Sequence, residues 1–474
     1  MATAVVAGRA NSPLTDGALS GLQWNGPEVT YSFPAWADFY GLGYGSGEPQ
    51  KNFEPLNELQ IAVARSIFRM ISATTNLTLT EIEETASIHA DIRLAMSGFA
   101  ETGWAYTLDE AGAGGDAWFN SLSGRYHAPV IGNFAFWTFL HEIAHTLGLK
   151  HAHEDGVFGR VPVELDSMEF SVTTYRSYVG AAGARVENEP WGYAQSLMIG
   201  DIAALQYMYG ANFSARAAST TYRWDAKTGQ AFIDGVGQGL PGGNRIFCTV
   251  WDGGGIDTYD FANYRTDLSV DLRPGHWSTL SLGQLAYLGG FRWARGNVAN
   301  ALLYQGDPRS LIENAIGGSG DDRIYGNSAG NHLIGRQGKD RLFGLDGADT
   351  LNGGHDHDIL RGGEGSDVFI FNTPPSAKRN RDAIPDFDVR DDSLYLDNAV
   401  FRSLGAGSAH HPQKLKKAFF VIGEEARDHN DFIVYNKENK VLLYDRDGSG
   451  PSNAVPIVTF SKELKITSHD IFVV

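Results

Sequence analysis

The chain has 474 residues, 42% of them hydrophobic, which is enough for two or three domains with substantial cores. Its formal net charge of −18 argues against nucleic acid or an anionic membrane as a partner, and no apolar run is long enough to span a membrane. A single cysteine, Cys248, excludes an internal disulfide, so any extra rigidity has to come from bound metal.

The N-terminus does not have the pattern of a secretory signal. MATAVVAGRANS, residues 1–12, contains a short apolar run with no basic region before it, so we expect no cleaved signal peptide. Taken alone, this would indicate the cytoplasm.

The first half of the chain predicts an α/β domain. Apolar residues recur at four-residue steps over 58–71 and predict an amphipathic helix. Alternating patterns predict three strands, at 77–82, 91–96 and 115–120. A closing helix is expected over 191–212. Beyond it the composition changes to glycine, aspartate and short β-like runs, so we place a domain boundary near residue 212.

The most informative segment is HEIAHTLGLKH, residues 141–151. On a helix, His141 and His145 project from one face, one turn apart, so both can reach a single metal ion. Gly148 can adopt the left-handed conformation that ends a helix and turns the chain back, which brings His151 to a third ligand position. Three neutral imidazoles leave the full charge on one zinc ion, whose open fourth position can hold a water with a pKa of roughly 7. Glu142 can take that water's proton and pass it to the leaving amine.

A bare His-Glu-x-x-His can arise by chance, but the added glycine and third histidine extend it to the metzincin signature. The helix carries a separate apolar stripe, formed by Phe136, Leu140, Ile143 and Leu147. The histidine face is therefore free for chemistry. His153 follows the third ligand too closely to be a further tetrahedral ligand, and we interpret it as a rim residue.

The second half contains six consecutive nonapeptides. Each begins with a glycine, at positions 317, 326, 335, 344, 353 and 362. The sixth position is polar in every repeat: Asp322, Asn331, Asp340, Asp349, Asp358 and Asp367. The eighth position is apolar: Ile324, Leu333, Leu342, Leu351, Leu360 and Phe369. This pattern is typical of the calcium-binding parallel β-helix repeat of RTX proteins, whereas a flexible polar linker would not keep an apolar residue in phase.

Each nonapeptide forms half a turn of such a roll, so equivalent positions recur every eighteen residues and the aspartates should stack along two edges. Carboxylates at strand spacing repel one another unless cations lie between them, and Ca²⁺ takes six to eight oxygen ligands. We therefore expect several structural Ca²⁺ ions, bound by the sixth-position residues and the turns around them. The turn glycines assigned to these sites are Gly317, Gly318, Gly320, Gly335, Gly338, Gly344, Gly347, Gly353 and Gly362. Four strand-like segments, at 393–398, 432–436, 440–445 and 455–460, predict a terminal β domain.

The whole chain resembles the serralysin family, the secreted zinc endopeptidases of Gram-negative bacteria. Besides the zinc motif, the resemblance is carried by VTYSF (29–33), YGSGEP (44–49), DIAALQYMYGAN (201–212), WDGGGIDTYDF (251–261), ENAIGGSGDD (313–322) and DIFVV (470–474). It implies an α+β (α/β-like) metzincin catalytic domain over 19–212, then an all-β parallel β-roll and a terminal β-sandwich over 213–474. It also implies a pro-segment over 1–18, which would make the chain a zymogen.

The resemblance further implies a monomer that acts outside the cell on protein or peptide substrates. Export would use a type I secretion apparatus that reads the C-terminus, and a protein inhibitor stays open as another partner. Tyr175 stands where the family has a tyrosine that binds zinc at rest and stabilises the oxyanion. Asp252, Gly254 and Asp257 resemble a calcium site at the start of the roll, and Glu313 resembles a further calcium ligand.

One departure from the family lies in the turn after the zinc motif. The serralysin Met-turn reads Ser-Val-Met-Ser-Tyr, whereas this chain has SVTTY at 171–175. Thr173 replaces the methionine that forms an apolar floor beneath the histidines, so we expect weaker metal retention rather than loss of chemistry.

Two alternatives follow from other readings of the same features. A catalytically silent or weakly active RTX calcium-binding extracellular protein would explain Thr173, but it would have little reason to retain Glu142 and Tyr175. An RTX lipase predicts a Gly-x-Ser-x-Gly nucleophile elbow, which we do not expect here.

Overall fold

The structure is a computed structural model that describes residues 2–108, 112–183 and 185–474. The α-helices of these residues are α1 Pro13–Ala18, α2 Glu58–Thr74, α3 Phe134–Thr146 and α4 Ile199–Tyr209. Short 3₁₀ helices lie at Ala37–Tyr40, Glu48–Gln50, Leu282–Gln284, Tyr304–Gly306, Pro308–Ser310, Arg402–Leu404, Lys417–Phe419 and Ser468–Asp470. None of the helices in the described residues is long and apolar enough to cross a membrane.

The N-terminal part places these helices around a small sheet. Its strands are β1 Ala4–Val6, β2 Leu22–Trp24, β3 Glu28–Ser32, β4 Thr78–Glu81, β5 Ile92–Ser97, β6 Trp104–Ala105 and β7 Ala117–Asn120. β1 and β2 form an antiparallel pair, and the other five form a sheet of order β4-β3-β5-β7-β6. Only β6 runs antiparallel to its neighbour, and it forms one edge of this sheet.

Two of the predicted helices are present with different limits. α2 begins at a reciprocal cap, in which Asn57 and Gln60 each accept a backbone N–H from the other residue, and it extends to Thr74. The closing helix begins at Ile199 instead of residue 191. The preceding residues cannot continue it, because the N–H groups of Tyr193 and Gln195 donate to distant carbonyls, those of Gly132 and Phe247.

The C-terminal part is built from short strands. They are β8 Thr221–Trp224, β9 Ala231–Ile233, β10 Val236–Gly237, β11 Cys248–Val250, β12 Thr258–Asp260, β13 Ser269–Asp271, β14 Trp277–Ser278, β15 Tyr287–Gly289, β16 Arg292–Trp293, β17 Val298–Asn300, β18 Asn314–Ile316, β19 Arg323–Tyr325, β20 His332–Arg336, β21 Arg341–Asp346, β22 Thr350–Gly354, β23 Ile359–Glu364, β24 Val368–Phe371, β25 Asp382–Ile384, β26 Ser393–Leu396, β27 Gln413–Lys414, β28 Phe420–Ile422, β29 Ile433–Asn436, β30 Val441–Tyr444, β31 Val455–Phe460 and β32 Ile471–Val473.

The repeats form the parallel roll that their spacing predicts. From β18 onward, successive strands alternate between two sheets, with β18-β20-β22-β24-β26 in one and β19-β21-β23-β25 in the other. The register places Leu333 beside Leu351 and Leu342 beside Leu360, an offset of eighteen residues in each case. The apolar eighth-position residues are completely buried between the two sheets.

The terminal strands continue these two sheets and share the core of the roll. β32 and β27 extend the first sheet, and β31, β30, β29 and β28 extend the second. The predicted terminal β-sandwich is thus continuous with the roll. The two parts of the chain also pack together, because Phe247, Trp251 and Ala299 belong to the same hydrophobic core as α2 and α3. The change of architecture after residue 212 therefore does not interrupt the packing.

Shortening an eighth-position side chain tests this core. Leu342→Ala should lower the free energy of unfolding by about 2–5 kcal/mol, since Leu342 is fully buried. Phe343→Ala is the matched control, because Phe343 lies on the opposite face of the same strand and is only half-buried. Urea denaturation followed by circular dichroism measures both changes, and a larger loss for Phe343→Ala would contradict the alternation of faces.

Candidate metal centres

Three histidine nitrogens converge on one point beside α3. The Nε2 atoms of His141 and His145 are 3.0 Å apart, and those of His141 and His151 are 3.3 Å apart. Tetrahedral zinc with Zn–N bonds of 2.0–2.1 Å would separate its ligand nitrogens by roughly 3.3 Å. The spacing of the three imidazoles therefore fits a zinc ion.

The other nitrogen of each ring fixes which atom faces that point. The Nδ1–H of His141 donates to the Val172 carbonyl at 2.7 Å, and that of His145 donates to the Leu149 carbonyl at 2.8 Å. Because a carbonyl can only accept, both rings carry their proton on Nδ1 and present an unprotonated Nε2. Burial lowers the pKa of His141 well below its usual range and that of His145 to about 3, so both rings are neutral. Unprotonated ring nitrogens that converge in this way can donate their lone pairs to one cation.

The third histidine depends on the turn at Gly148. Gly148 has φ +97°, and its N–H donates to the carbonyl of His145, which ends α3. The returning chain pairs with the N-terminal segment, where the carbonyl of Ala18 accepts the N–H of Lys150 at 2.8 Å. The turn at Gly148 and the pairing of Lys150 with Ala18 together set the position of His151.

Glu154 supports His151 from outside the trio. Its Oε1 lies 2.7 Å from His151 Nδ1. A carboxylate is thus the hydrogen-bond partner of this ring, whereas backbone carbonyls are the partners of His141 and His145. The motif-based analysis did not identify this residue, although a glutamate three positions after a metal-binding histidine is within reach of its free nitrogen.

Glu142 lies in the site without belonging to the trio. It is 4% exposed, and burial holds the pKa of its carboxyl well above the usual range. Gly103, directly before β6, lies against it: a Cβ on Gly103 would be 2.8 Å from Glu142 Oε1. The absence of a side chain at Gly103 lets the edge strand of the sheet approach the carboxylate.

Tyr175 and His153 complete the surroundings. The Tyr175 ring centroid lies 4.4 Å from that of His151 and 5.7 Å from that of His141. Burial, followed by the charge of Glu142, raises the pKa of the Tyr175 hydroxyl to about 12. His153 is half-buried, with its ring 5.1 Å from Tyr175.

The expectation that the chain lacks a Gly-x-Ser-x-Gly sequence is wrong, since residues 326–330 have this spacing. They form the turn between β19 and β20, and Ser328 is exposed there. A nucleophile elbow joins a strand to a helix, so this turn does not support the lipase alternative.

The sixth-position side chains of the roll form two hydrogen-bonded columns. Along one edge, the Oδ1 atoms of Asp340, Asp358 and Asp382 accept the N–H of the aspartate one coil earlier, at 2.8, 2.8 and 3.1 Å. Along the other edge, the Oδ1 atoms of Asp349, Asp367 and Asp392 accept the N–H groups of Asn331, Asp349 and Asp367 at 2.7, 2.9 and 3.0 Å.

These bonds leave the second carboxylate oxygen free. The Oδ2 atoms of Asp340, Asp349, Asp358 and Asp367 are buried and have no hydrogen-bond partner within the described residues. The first-position glycines Gly317, Gly335, Gly344, Gly353 and Gly362 lie against the Oδ2 atoms of the sixth-position aspartates, where a Cβ would take the space. A buried carboxylate oxygen without a hydrogen-bond partner fits Ca²⁺, which prefers oxygen ligands in such turns.

Two sixth-position residues differ from this pattern. Asp322 Oδ2 accepts the N–H of Gly318 at 2.6 Å. Asn331 Oδ1 accepts the N–H of Asn327, and its Nδ2 donates to the carbonyl of Glu313. Both side chains, one at the start of each column, are therefore satisfied by the protein itself. Gly320 and Gly338 lie in turns at one edge and Gly347 in a turn at the other, and in each case backbone of a neighbouring segment passes close by.

The residues assigned to a site before the roll also lie together. Asp257 N–H donates to Glu313 Oε2 at 2.7 Å, and Gly254 N–H donates to Asp252 Oδ1 at 2.9 Å. Asp257 Oδ2 is buried without a partner among the described residues. Burial, followed by the charge of Asp252, raises the pKa of Asp257 to about 8.

The residues that end the two columns do not follow the repeat pattern of the sequence. Asp382 and Asp392 follow their predecessors by 24 and 25 residues instead of eighteen, so the repeat period does not identify them. Asp386 also lies here, with a buried Oδ1 that has no partner in the described part of the chain. The strand patterns on either side were the available signal, since each of the two aspartates lies at the start of a strand or directly before one.

Comparisons with known proteins agree with the sequence resemblance. A family model described as Peptidase M10 serralysin C terminal matches residues 211–406. Serralysin of Proteus mirabilis is 32% identical over 344 residues, which cover 65% of this chain and 62% of that protein. Serralysin G of Dickeya chrysanthemi is 31% identical over 341 residues, 65% and 63% of the two chains. Metallopeptidase AprA of Pseudomonas marginalis is 30% identical over 295 residues, 59% and 56%.

This chain thus spans about three fifths of the length of these relatives. The resemblance to the serralysin family is confirmed, and the chain is related to metallopeptidases.

Removing the carboxylate of Glu154 should weaken zinc binding. Outer partners of metal-binding histidines typically contribute 10–100-fold in affinity, so we expect Glu154→Ala to lose zinc roughly tenfold more readily and Glu154→Gln to fall between it and the unmodified protein. Competition with a zinc chelator measures this. Asp155→Asn, which removes a neighbouring exposed charge, should leave zinc affinity unchanged, and equal effects of the two substitutions would contradict the assignment.

Acid should stabilise the calcium-free roll. Burial, followed by the charges of Asp358 and Asp322, raises the pKa of Asp340 to about 9, and burial raises those of Asp349 and Asp358 to about 7, above an ordinary value of 3.8. The folded state therefore holds these protons more tightly than the unfolded state. Their contribution to stability is complete below about pH 4 and is lost as pH rises through 7 to 9.

Thermal melts of the full chain at pH 5.5 and 8.5 measure this dependence. In chelator the melting temperature should be higher at the lower pH, and in excess calcium the order should reverse, because calcium binds only the ionised carboxylates. Asp340→Asn imitates the protonated side chain. In chelator at pH 8.5 it should melt above the unmodified protein, while needing roughly tenfold more calcium for half-saturation. A melting temperature that rises with pH in the presence of chelator would contradict this prediction.

Proposed function

We propose that this relative of the serralysins is a zinc-dependent endopeptidase that hydrolyses internal peptide bonds of extended protein substrates, and that calcium holds its roll folded. The supporting observation is the convergence of three Nε2 atoms, 3.0 and 3.3 Å apart, beside the buried carboxyl of Glu142. His141, His145 and His151 would hold one zinc ion. The roll aspartates and the cluster of Asp252, Asp257 and Glu313 would hold several calcium ions.

When bound, zinc would supply a Lewis acid that polarises the carbonyl of the scissile bond and makes water a better nucleophile. Glu142 would accept the proton of the attacking water and deliver it to the leaving amine, because burial raises the pKa of its carboxyl well above the usual range and lets it hold a proton between the two steps. Tyr175, with its pKa near 12, stays protonated at neutral pH and can donate a hydrogen bond to the oxyanion.

The position of β6 supports an extended substrate. β6 is the edge strand of the five-stranded sheet, and Gly103 places the chain next to it directly against Glu142. An extended peptide can add to such an edge through main-chain hydrogen bonds, which recognise conformation more than side chains. A protein substrate bound in this way would bring its backbone to the histidines.

The proposal extends to location and processing. We propose export through a type I apparatus, an extracellular location, a monomeric state and a pro-segment over residues 1–18. A cut after residue 18 would remove Leu14 and Ala18 from the core, where both are buried, so release of the whole segment would expose apolar surface. The segment DIFVV, residues 470–474, contains β32, which pairs with β26 and β27. A terminal signal would therefore be accessible only before the roll folds.

The alternative is a silent or weakly active calcium-binding protein of the RTX type. Thr173 is the residue that favours it. The names of the relatives, serralysin and metallopeptidase, favour the enzyme. The enzyme is also supported by the Tyr175 ring, which lies beside that of His141, and by Glu142, whose charge acts on the Tyr175 hydroxyl.

Glu142→Gln tests the proposed reaction. Glutamine keeps the shape of the side chain but cannot accept the proton, so hydrolysis of casein should fall at least about 100-fold while bound zinc stays near one ion per chain. Zinc content by atomic absorption and the rate of casein digestion measure the two effects on one preparation. Glu164→Gln, a change at an exposed glutamate, is the matched control and should retain full activity. Near-normal digestion by Glu142→Gln would contradict the mechanism, and an unmodified protein without zinc affinity would favour the silent alternative.

A further inference from the structure

The turn at residues 171–173 contacts the chain on both sides of the zinc motif. On one side, the carbonyl of Val172 accepts the Nδ1–H of His141 at 2.7 Å. On the other side, the hydroxyl of Thr173 donates to the carbonyl of Lys150 at 2.9 Å. Lys150 directly precedes His151. One short turn thus fixes the first and the third histidine of the motif.

The turn is itself held by a buried carboxylate. Asp201, in the first turn of α4, accepts the N–H of Val172 at 2.8 Å and the hydroxyl of Ser171 at 2.7 Å. The N–H of Thr173 donates to Ser171 Oγ at 3.1 Å. Thr173 and Asp201 are completely buried, so no water-exposed conformation competes with these bonds. Because Ser171 donates its proton to Asp201, the Thr173 hydroxyl has two buried acceptors, the Ser171 hydroxyl oxygen and the Lys150 carbonyl, each at 2.9 Å.

Before any cleavage after residue 18, the backbone of Lys150 is held by two hydrogen bonds. Its N–H donates to the carbonyl of Ala18, and its carbonyl accepts from Thr173. The peptide plane that leads into His151 is thereby fixed, and with it the direction in which the ring presents Nε2. A methionine, the residue of the family at this position, has no donor for the Lys150 carbonyl.

We propose that Thr173 is a positioning residue for the zinc site: its hydroxyl fixes the Lys150 peptide and so orients His151. The inference rests on the proposed zinc function. It also reverses the expectation from an apolar floor, because Thr173→Met would remove the donor from a fully buried position and would have to fit a longer side chain there.

Substitutions that separate the hydroxyl from the side-chain volume test the proposal. Thr173→Val keeps the shape and removes the donor, whereas Thr173→Ser keeps the donor and removes a methyl group. Thr173→Val should bind zinc about tenfold more weakly than the unmodified protein, and Thr173→Ser should remain within about threefold. Thr173→Met should behave like Thr173→Val or bind more weakly still.

The matched control is the next residue. Thr174 is equally buried, and its hydroxyl donates to Asp166 Oδ1 at 2.6 Å instead of to the Lys150 carbonyl. Thr174→Val loses a comparable hydrogen bond within the same turn. It should therefore lower thermal stability without changing the metal site.

Two measurements on the full-length protein distinguish positioning from stability. The zinc dissociation constant is obtained by chelator competition, and the visible absorption of the cobalt-substituted protein reports the ligand geometry. The cobalt bands should shift in Thr173→Val and Thr173→Met, and should match the unmodified protein in Thr173→Ser and Thr174→Val. If Thr173→Val does not fold, Thr173→Ala replaces it under the same criteria.

The outcomes for the two proposals are distinct. An unmodified protein that binds no zinc overturns the proposed function. An unmodified protein that binds zinc, together with a valine or alanine variant of equal zinc affinity and equal cobalt spectrum, overturns the role of Thr173 alone. A serine variant as weak as the valine variant would also overturn it, since the hydroxyl would then be irrelevant.

Discussion

Both halves of the molecule depend on one constraint: within the described residues, unpaired nitrogen or oxygen atoms of buried side chains lie close together without a hydrogen donor between them. In each half, a hydrogen bond engages one polar atom of a side chain and leaves the other facing its neighbours. The Nδ1–H groups of His141 and His145 donate hydrogen bonds to carbonyls, so the Nε2 lone pairs of the two rings converge. The roll aspartates use Oδ1 for a backbone N–H, so Oδ2 is left without a partner among the described residues. Hydrogen bonding thereby selects the atoms that a cation would meet.

The parts of the fold that follow a strict period could be predicted from the sequence. The apolar stripe of α3, the turn at Gly148 and the eighteen-residue register of the roll each result from local geometry repeated along the chain. The start of α4 could not be predicted in this way. The apolar residues before Ile199 fit a helix, but their N–H groups bond to segments far away in the sequence, and only the folded chain shows those partners.

The candidate site also contains residues that the local sequence identifies and residues that only the folded chain identifies. The histidine trio and Glu142 come from one contiguous motif, and the structure places them as the motif requires. Glu154 and the bond from Thr173 to Lys150 are outer contacts, whose identity depends on where loops return. The sequence marks Thr173 as a departure from a family pattern, but it does not show that the new hydroxyl has a buried acceptor. Asp382 and Asp392 escape the repeat because the connections before them are longer than a repeat.

The alternation of the roll strands limits how the chain can change in length. Consecutive nonapeptides lie on opposite sheets, so the loss of one repeat would transfer every later strand to the other sheet. The two aspartate columns would exchange edges, and Asp382 and Asp392 would no longer meet the coils that they complete. The loss of two repeats keeps every strand on its own sheet. We therefore expect the roll to tolerate insertions and deletions of whole coils of eighteen residues. A change of nine residues is excluded, because the terminal strands would then meet the wrong sheet.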